Sequence, residues 1–149
     1  MISVLLVDPY DDSRELYATV LQSLGFRVHA TSNTDDACES LSLADVLVTG
    51  LQVPGRIDGV GLIRRLRNHP ATHKIPIVVL TACADRAHEQ AARIAGCDVF
   101  LTKPCLPMDL ASEIRHAAMW RSGLTVMLKA KLDRRQHLSQ ENAEPKKAG

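Results

Sequence analysis

The sequence predicts an α/β protein with a three-layer, doubly wound architecture, in which helices cover both faces of a five-stranded parallel sheet. Two observations support this fold class. Short, continuously apolar runs, typical of strands buried on both faces, recur along the chain. Stretches with helical spacing of apolar residues separate them, so consecutive strands need crossover connections, and crossovers of this kind make the sheet parallel.

The elements alternate strictly along the chain. The predicted strands are Val4–Val7, Val28–Thr31, Val46–Thr49, Pro76–Leu80 and Val99–Leu101. The first predicted helix has its cap among Asp11 to Ser13 and ends at Leu24. The next three are Thr34–Leu43, Gly61–Asn68 and Asp85–Ile94, and the last begins at Pro107. Five strands favour the flavodoxin-like order 2-1-3-4-5.

Apolar periodicity predicts which helix faces are buried. The predicted buried residues of the first helix are Leu16, Val20, Leu21 and Leu24, and those of the last are Leu110, Ile114, Ala117 and Ala118. Arg64, Arg65 and Arg67 share the third helix with an apolar face, so we interpret them as a solvated basic surface.

Length and composition restrict the function classes. The 149 residues suit one domain, predicted over residues 1–121, with a tail over residues 122–149. A formal net charge of +1 gives no bias toward nucleic acid or membranes. The sequence starts with a strand instead of an apolar leader, and no run is long enough to span a bilayer, so we expect a cytoplasmic protein.

Polar residues follow several predicted strands, at the edge of the sheet where α/β proteins place their chemistry. The blocks are Val4-Leu-Leu-Val-Asp8, Pro54-Gly55 with Asp58-Gly59, Leu80-Thr-Ala82, and Phe100-Leu-Thr-Lys103-Pro104. Their order and spacing resemble the receiver domain of bacterial two-component response regulators, over about Met1 to Arg121.

This resemblance implies a specific chemistry. In the family, an acidic pair after the first strand and an aspartate ending the third hold magnesium, and that aspartate accepts a phosphoryl group from a histidine kinase. By position, Asp8 matches the first acid of the pair, Thr81 the hydroxyl residue and Lys103 the lysine. Phe100 matches the aromatic residue that moves on activation.

Two positions depart from the family pattern. Gly50 occupies the phosphoacceptor position, and Pro9 occupies the second acidic position. A glycine cannot form an acyl phosphate, and a proline supplies no carboxylate. Asp8 and Lys103 are then the charged residues left at the site, and we expect them to form an ion pair. Magnesium binding is expected to be weak or absent, and no metal ligands are assigned. No nucleophile–base pair is visible, so the sequence does not predict an enzyme.

The leading hypothesis is a stand-alone receiver that acts by phosphorylation-independent contact with a signalling protein, such as a histidine kinase or another regulator. The expected surface combines the fourth helix, fifth strand and fifth helix and includes Phe100 and Ile114. Two alternatives stay open: a phosphotransfer receiver with a substitute acceptor, and a small-molecule-sensing pseudo-receiver. Thr49, Gln52 and Asp58 are the nearest substitutes, and each is poorly suited by direction or chemistry.

Other features carry weaker hypotheses. Cys83 and Cys105 each lie two residues after a site position, Thr81 and Lys103 respectively, on neighbouring loops. One hypothesis is a redox pair in which the charge of Lys103 lowers the pKa of a thiol. The alternative is two separate reduced thiols. The tail contains Leu124, Met127, Leu128 and Leu132 with helical spacing, accompanied by basic residues. It is predicted to pack on the domain, on a second copy through the last helices, or on a partner, while nucleic acid is not the expected ligand.

Overall fold

A computed structural model of the chain describes residues 1–121, and these form a single five-stranded parallel sheet with the order β2-β1-β3-β4-β5. The strands are β1 (Ser3–Val7), β2 (Arg27–Thr31), β3 (Val46–Thr49), β4 (Ile77–Thr81) and β5 (Val99–Thr102). The helices are α1 (Asp11–Ser23), α2 (Thr34–Glu39), α3 (Gly59–Asn68), α4 (Arg86–Ala95) and α5 (Pro107–Arg121). The predicted fold class and strand order are both confirmed.

The apolar strands build two cores because alternate side chains point to opposite faces of the sheet. On one face, Leu6 and Val48 pack with Leu21 of α1 and Ile114 of α5. On the other face, Leu5 and its neighbours pack against α2, α3 and α4. Both faces of β1, β3 and β4 are therefore buried, as the continuously apolar runs predicted.

Side chains or glycine conformations define several helix ends. Asn33, Asp58 and Asp85 each accept a hydrogen bond from a backbone N–H in the first turn of α2, α3 and α4. Helix α4 ends at Gly96, whose φ of 119° lies in the left-handed region that favours glycine. Helix α2 ends at Glu39 and a short 3-10 turn follows, so the predicted helix to Leu43 is too long.

The start and buried face of α1 differ from the prediction. The residue that precedes α1 is Tyr10, which gives no side-chain cap, and Asp11 and Asp12 lie within the first turn. Leu16 is 53% exposed, whereas Tyr17 is buried and donates a hydrogen bond from its hydroxyl to the carbonyl oxygen of Cys105 at 2.6 Å. Tertiary contact with the loop before α5 therefore sets the rotation of this helix.

Arg67 corrects the interpretation of α3 as carrying a solvated basic face. Its guanidinium donates to the carbonyl oxygens of Gly96 and Ile75 and to Asp98 Oδ2, which lies 2.9 Å from Nη2. Asp98 Oδ2 also accepts from the backbone N–H of Ile77 at 2.8 Å. We call Arg67 and Asp98 the amino-end clamp, because they join α3 to the starts of β4 and β5. Arg64 and Arg65 are exposed, as predicted.

One compact unit comprises Met1–Ala118, and the second, Met119–Gly149, lies almost wholly outside the described residues. The predicted amphipathic segment from Leu124 to Leu132 belongs to that part of the chain. Within residues 1–121, no helix has the length and apolar character needed to cross a bilayer.

Candidate functional site

The carboxyl ends of four strands bring the predicted site residues to one edge of the sheet. Asp8 follows β1, Gly50 follows β3, Thr81 ends β4 and Lys103 follows β5. Backbone hydrogen bonds hold the edge together: Gly50 N donates to Val7 O at 3.0 Å, and Lys103 N donates to Thr81 O at 2.8 Å. The backbone of the site is thus fixed by the sheet itself.

Asp8 and Lys103 form an ion pair, which confirms the predicted pairing. Lys103 Nζ lies 2.8 Å from Asp8 Oδ2, and the side chains are 17% and 5% exposed, respectively. The ends of β3 and β4 lie between these residues in the sheet, and Gly50 at the end of β3 adds no side chain to the gap. The lysine therefore spans the edge and neutralises the carboxylate.

Ser13 completes this group, and sequence reasoning missed it. Its Oγ donates to Asp8 Oδ2 at 2.7 Å and accepts from Lys103 Nζ at 2.9 Å. The other carboxylate oxygen, Oδ1, accepts from the backbone N–H of Tyr10 at 2.9 Å, and the Tyr10 ring lies 5.3 Å from Nζ. The position of Ser13 one helical turn before Tyr17 is a signal that could have indicated an inward-facing hydroxyl. We call Asp8, Ser13 and Lys103 the carboxyl-end network.

The backbone at Gly50 has room for a side chain. A Cβ added there would lie 3.4 Å from Val53 Cγ2 and 3.6 Å from Leu80 O, which is ordinary van der Waals contact or close to it. Gly59 is the opposite case, because an added Cβ would overlap the Gly50 carbonyl oxygen. Gly59 N also donates to Leu51 O at 2.9 Å. The start of α3 therefore packs directly on the backbone of the site.

The residues present do not fit a magnesium ion. Magnesium requires several oxygen ligands in near-octahedral geometry. Pro9 and Gly50 offer no side-chain oxygen, and both oxygens of Asp8 already accept hydrogen bonds. Among residues 1–121, no group of three or more His, Cys, Asp or Glu side chains is arranged to hold a metal.

The nearby oxygen-bearing residues are engaged elsewhere. Thr49 donates from Oγ1 to the Gly50 carbonyl oxygen at 2.9 Å, and Asp58 Oδ1 accepts from Gly61 N at 2.8 Å as the cap of α3. Thr81 is buried and its Oγ1 accepts from Cys83 N at 3.1 Å. Each of these groups thus has a structural hydrogen bond.

The expected interaction surface changes in one residue. Phe100 is partly buried, and packs against the core that contains α2, α3 and α4. Ile114 has no exposed surface and belongs to the opposite core, so it cannot contact a partner as the sequence analysis expected. The large apolar side chains exposed on these elements and on the loop before α5 include Ile94, Leu106 and Met108, and Leu106 is 68% exposed.

The cysteines within residues 1–121 are all free. Burial raises the pKa of Cys105, and the carboxylates of Asp109 and Glu113 raise it further. Lys103 does not oppose this shift, since its ammonium group is directed to Asp8. The thiol of Cys105 is therefore less readily ionised than an ordinary one, which is the opposite of the lowered pKa expected for a redox pair.

Comparison with known proteins gives a consistent result. The model of the response regulator receiver domain family matches residues 4–115. The chain is 34% identical over 115 residues to the transcriptional regulatory protein GltR of Pseudomonas aeruginosa, covering 76% of this chain and 47% of GltR. It therefore spans about half the length of that curated relative.

Solved structures extend the similarity to the fold. A response regulator described as putative, from Chloroflexus aurantiacus, is 32% identical with a TM-score of 0.74, covering 78% of this chain and 97% of that chain. The receiver domain of the sensor histidine kinase PA1611 from Pseudomonas aeruginosa is 24% identical with a TM-score of 0.72, covering 78% and 97% of the two chains. That receiver was solved with a magnesium ion coordinated in its active site cleft.

Proposed function

This chain belongs to the response regulator receiver family of two-component signalling, and from that premise we propose that it signals without aspartyl phosphorylation. In this proposal the domain is a protein-binding module and catalyses no reaction of its own. Gly50 supplies no acceptor, and magnesium binds weakly or not at all because Pro9 and Gly50 contribute no ligand.

The carboxyl-end network is the observation that carries the proposal. A receiver that accepts a phosphoryl group needs a carboxylate nucleophile, a divalent cation and a free lysine to neutralise the phosphoryl oxygens. Here Lys103 is already paired with Asp8 at 2.8 Å, and Ser13 bridges the two by donating to Asp8 and accepting from Lys103. The charges of the site balance internally, so the site needs no ligand to be stable.

Signalling then depends on surface recognition. The proposed surface combines α4, β5 and the start of α5, and includes Phe100 and Leu106. The partner in this proposal is a histidine kinase or another signalling protein, bound in the absence of a phosphoryl group. The partly buried position of Phe100 supports this, because its ring contributes to the core and to the surface groove together.

The test is phosphorylation by a small phosphodonor. The full chain is incubated with acetyl phosphate and magnesium, and the intact mass is measured before hydrolysis of any adduct. We expect no phosphoryl adduct. A stoichiometric adduct would overturn the proposal and indicate a substitute acceptor, which mapping of the acid-labile group would identify.

A matched positive control uses the room at Gly50. The double variant Gly50→Asp/Pro9→Asp restores both missing carboxylates, and the added Cβ at residue 50 meets no serious overlap. We expect this variant to retain its fold and to gain a magnesium-dependent adduct. The single variant Gly50→Asp is expected to react far less, because the second acidic position still lacks a carboxylate.

A further inference from the structure

A groove of about 410 Å³ lies between α4, β5 and the start of α5. Its apolar part includes Phe100, Cys105 and Leu106, and its polar part includes Glu89 and Asp109. Leu106 is the most exposed of the apolar residues, at 68%. Such a combination of apolar floor and polar rim is typical of a site that accepts a side chain from a partner.

The charges around this groove are predominantly negative. Asp109 and Glu113 lie one turn apart on α5, so they share a helix face, and neither forms an ion pair within residues 1–121. Asp109 lines the groove, and Glu113 follows one turn further along α5. Both carboxylates raise the pKa of the Cys105 thiol, after the larger effect of its burial. The two carboxylates therefore give a negative potential beside the apolar part of the groove.

Two basic residues on or beside the elements around the groove pair with acids other than Asp109 and Glu113. Arg93 pairs with Glu89 at 3.1 Å, so its charge is balanced within α4. Lys103 lies next to the groove in sequence, but its ammonium group contacts Asp8 and Ser13. Among residues 1–121, no lysine or arginine lines the groove. Within residues 1–121, no basic side chain forms an ion pair with Asp109 or Glu113.

We propose that this groove binds a basic amphipathic segment of a partner protein. A large apolar side chain of that segment would cover Leu106 and Phe100, and flanking lysine or arginine side chains would face Asp109 and Glu113. Charge complementarity of this kind increases association rates and selects among partners, while the apolar contact supplies most of the affinity. This inference rests on the proposed function, since it names the chemistry of the partner at the proposed surface.

The experiment selects short peptides from a displayed random library on the full chain at low ionic strength. Enriched peptides are synthesised with a fluorescent label, and their dissociation constants are measured by anisotropy. We expect the enriched peptides to have a net positive charge and at least one large apolar residue. We also expect binding to weaken steeply with added salt, because the charged groups at the rim are exposed.

Three variants locate the binding site. Asp109→Asn/Glu113→Gln and Leu106→Ser should each weaken binding about tenfold, by loss of charge and of apolar contact respectively. Glu39→Gln is the matched control, because Glu39 is an exposed acid on α2, which contacts β1 and β2 at the other end of the strand order from β5. It should leave binding unchanged.

The inference is overturned if no peptides are enriched, if the enriched peptides are neutral or acidic, or if the double variant binds as tightly as Glu39→Gln. The two proposals fail separately. Loss of peptide binding without a phosphoryl adduct removes only the basic-segment inference. An adduct at the carboxyl end, together with basic peptide binding, removes only the phosphorylation-independent function.

Discussion

The two ends of the sheet each contain an ion pair of similar geometry but different context. At the carboxyl end, Lys103 Nζ lies 2.8 Å from Asp8 Oδ2, and at the amino end, Arg67 Nη2 lies 2.9 Å from Asp98 Oδ2. The ammonium group of Lys103 donates to two side chains, Asp8 and Ser13. Arg67 also donates to three backbone carbonyl oxygens, those of His73, Ile75 and Gly96.

The two ion pairs therefore differ in role: the Arg67–Asp98 pair supports the backbone, whereas the Asp8–Lys103 pair lies in the candidate functional site. The amino-end clamp satisfies backbone groups of several elements, so the fold depends on it directly. The carboxyl-end network lies at the edge of the sheet where the sequence analysis predicts a degenerate phosphorylation site. Its ion pair is bonded through side chains, whereas the amino-end pair also satisfies backbone carbonyl oxygens. Three substitutions test this comparison.

The largest expected effect is at Arg67. Arg67→Ala would remove the guanidinium that donates to the carbonyl oxygens of several segments and to Asp98, and the Arg67 side chain is only 16% exposed. We expect the free energy of unfolding to fall by about 3 kcal/mol, because three hydrogen bonds to backbone carbonyl oxygens are lost together with a partly exposed ion pair. Urea denaturation followed by circular dichroism measures this change.

Arg64→Ala is the control, since Arg64 is an exposed arginine on the same helix. It should change the free energy of unfolding by less than about 0.5 kcal/mol. Equal effects of the two substitutions would show that the clamp does not stabilise the fold.

An intermediate effect is expected at Lys103. Lys103→Met leaves Asp8, which is 3% exposed, with its hydrogen bonds from Tyr10 and Ser13 but without a cation. We expect a loss of about 2 kcal/mol, and partial recovery in Asp8→Asn/Lys103→Met, because the second substitution removes the buried charge. Urea denaturation of both single variants and the double variant gives the coupling energy.

Lys74→Met serves as the control for this cycle, because Lys74 is exposed. If the effects of Asp8→Asn and Lys103→Met on the free energy of unfolding simply add, the two residues are not energetically coupled. The Asp8–Lys103 ion pair would then not stabilise the fold.

The smallest expected effect is at the opposite end of α4 from the clamp. Asp85 caps this helix, and hydrogen bonds from the His88 backbone and side chain lower its pKa below the ordinary value of 3.8. The ionised form is therefore favoured by folding, and its contribution is present above 3.8 and is lost as the pH falls through the lowered pKa.

Asp85→Asn keeps a capping side chain but removes the charge. We expect the variant to be slightly less stable than the natural chain at neutral pH, with the gap closing in acid. Urea denaturation at several pH values measures the gap. A gap independent of pH would mean that the charge of Asp85 does not contribute.

Much of this molecule was predictable because local patterns determine it. Apolar runs predicted all five strands, and the positions of Asp8 and Lys103 after two of them predicted their pairing. The face of α1 was less predictable, because Leu16 and Tyr17 are both apolar enough to be buried. The choice is made by a hydrogen bond from Tyr17 to Cys105, which is 88 residues away in sequence.

Arg67 shows the same limit more clearly. A basic residue on an amphipathic helix is usually solvated, and nothing near it in the sequence indicates that its partners are carbonyl oxygens of later loops. Ser13 escaped notice for a similar reason, since a serine in the first turn of a helix most often serves the helix itself. The spacing of apolar residues therefore cannot predict polar contacts between residues that are distant in the sequence.

Because Gly59 packs against the Gly50 carbonyl, these two glycines differ in the substitutions that they can accept. Residue 50 can accept a Cβ with ordinary contacts, whereas residue 59 cannot acquire even a methyl group without displacing the backbone beside it. Substitutions at residue 50 are therefore expected to change the chemistry at the end of β3 while leaving the fold in place. Substitutions at residue 59 are expected to displace the start of α3 and with it the backbone of the site.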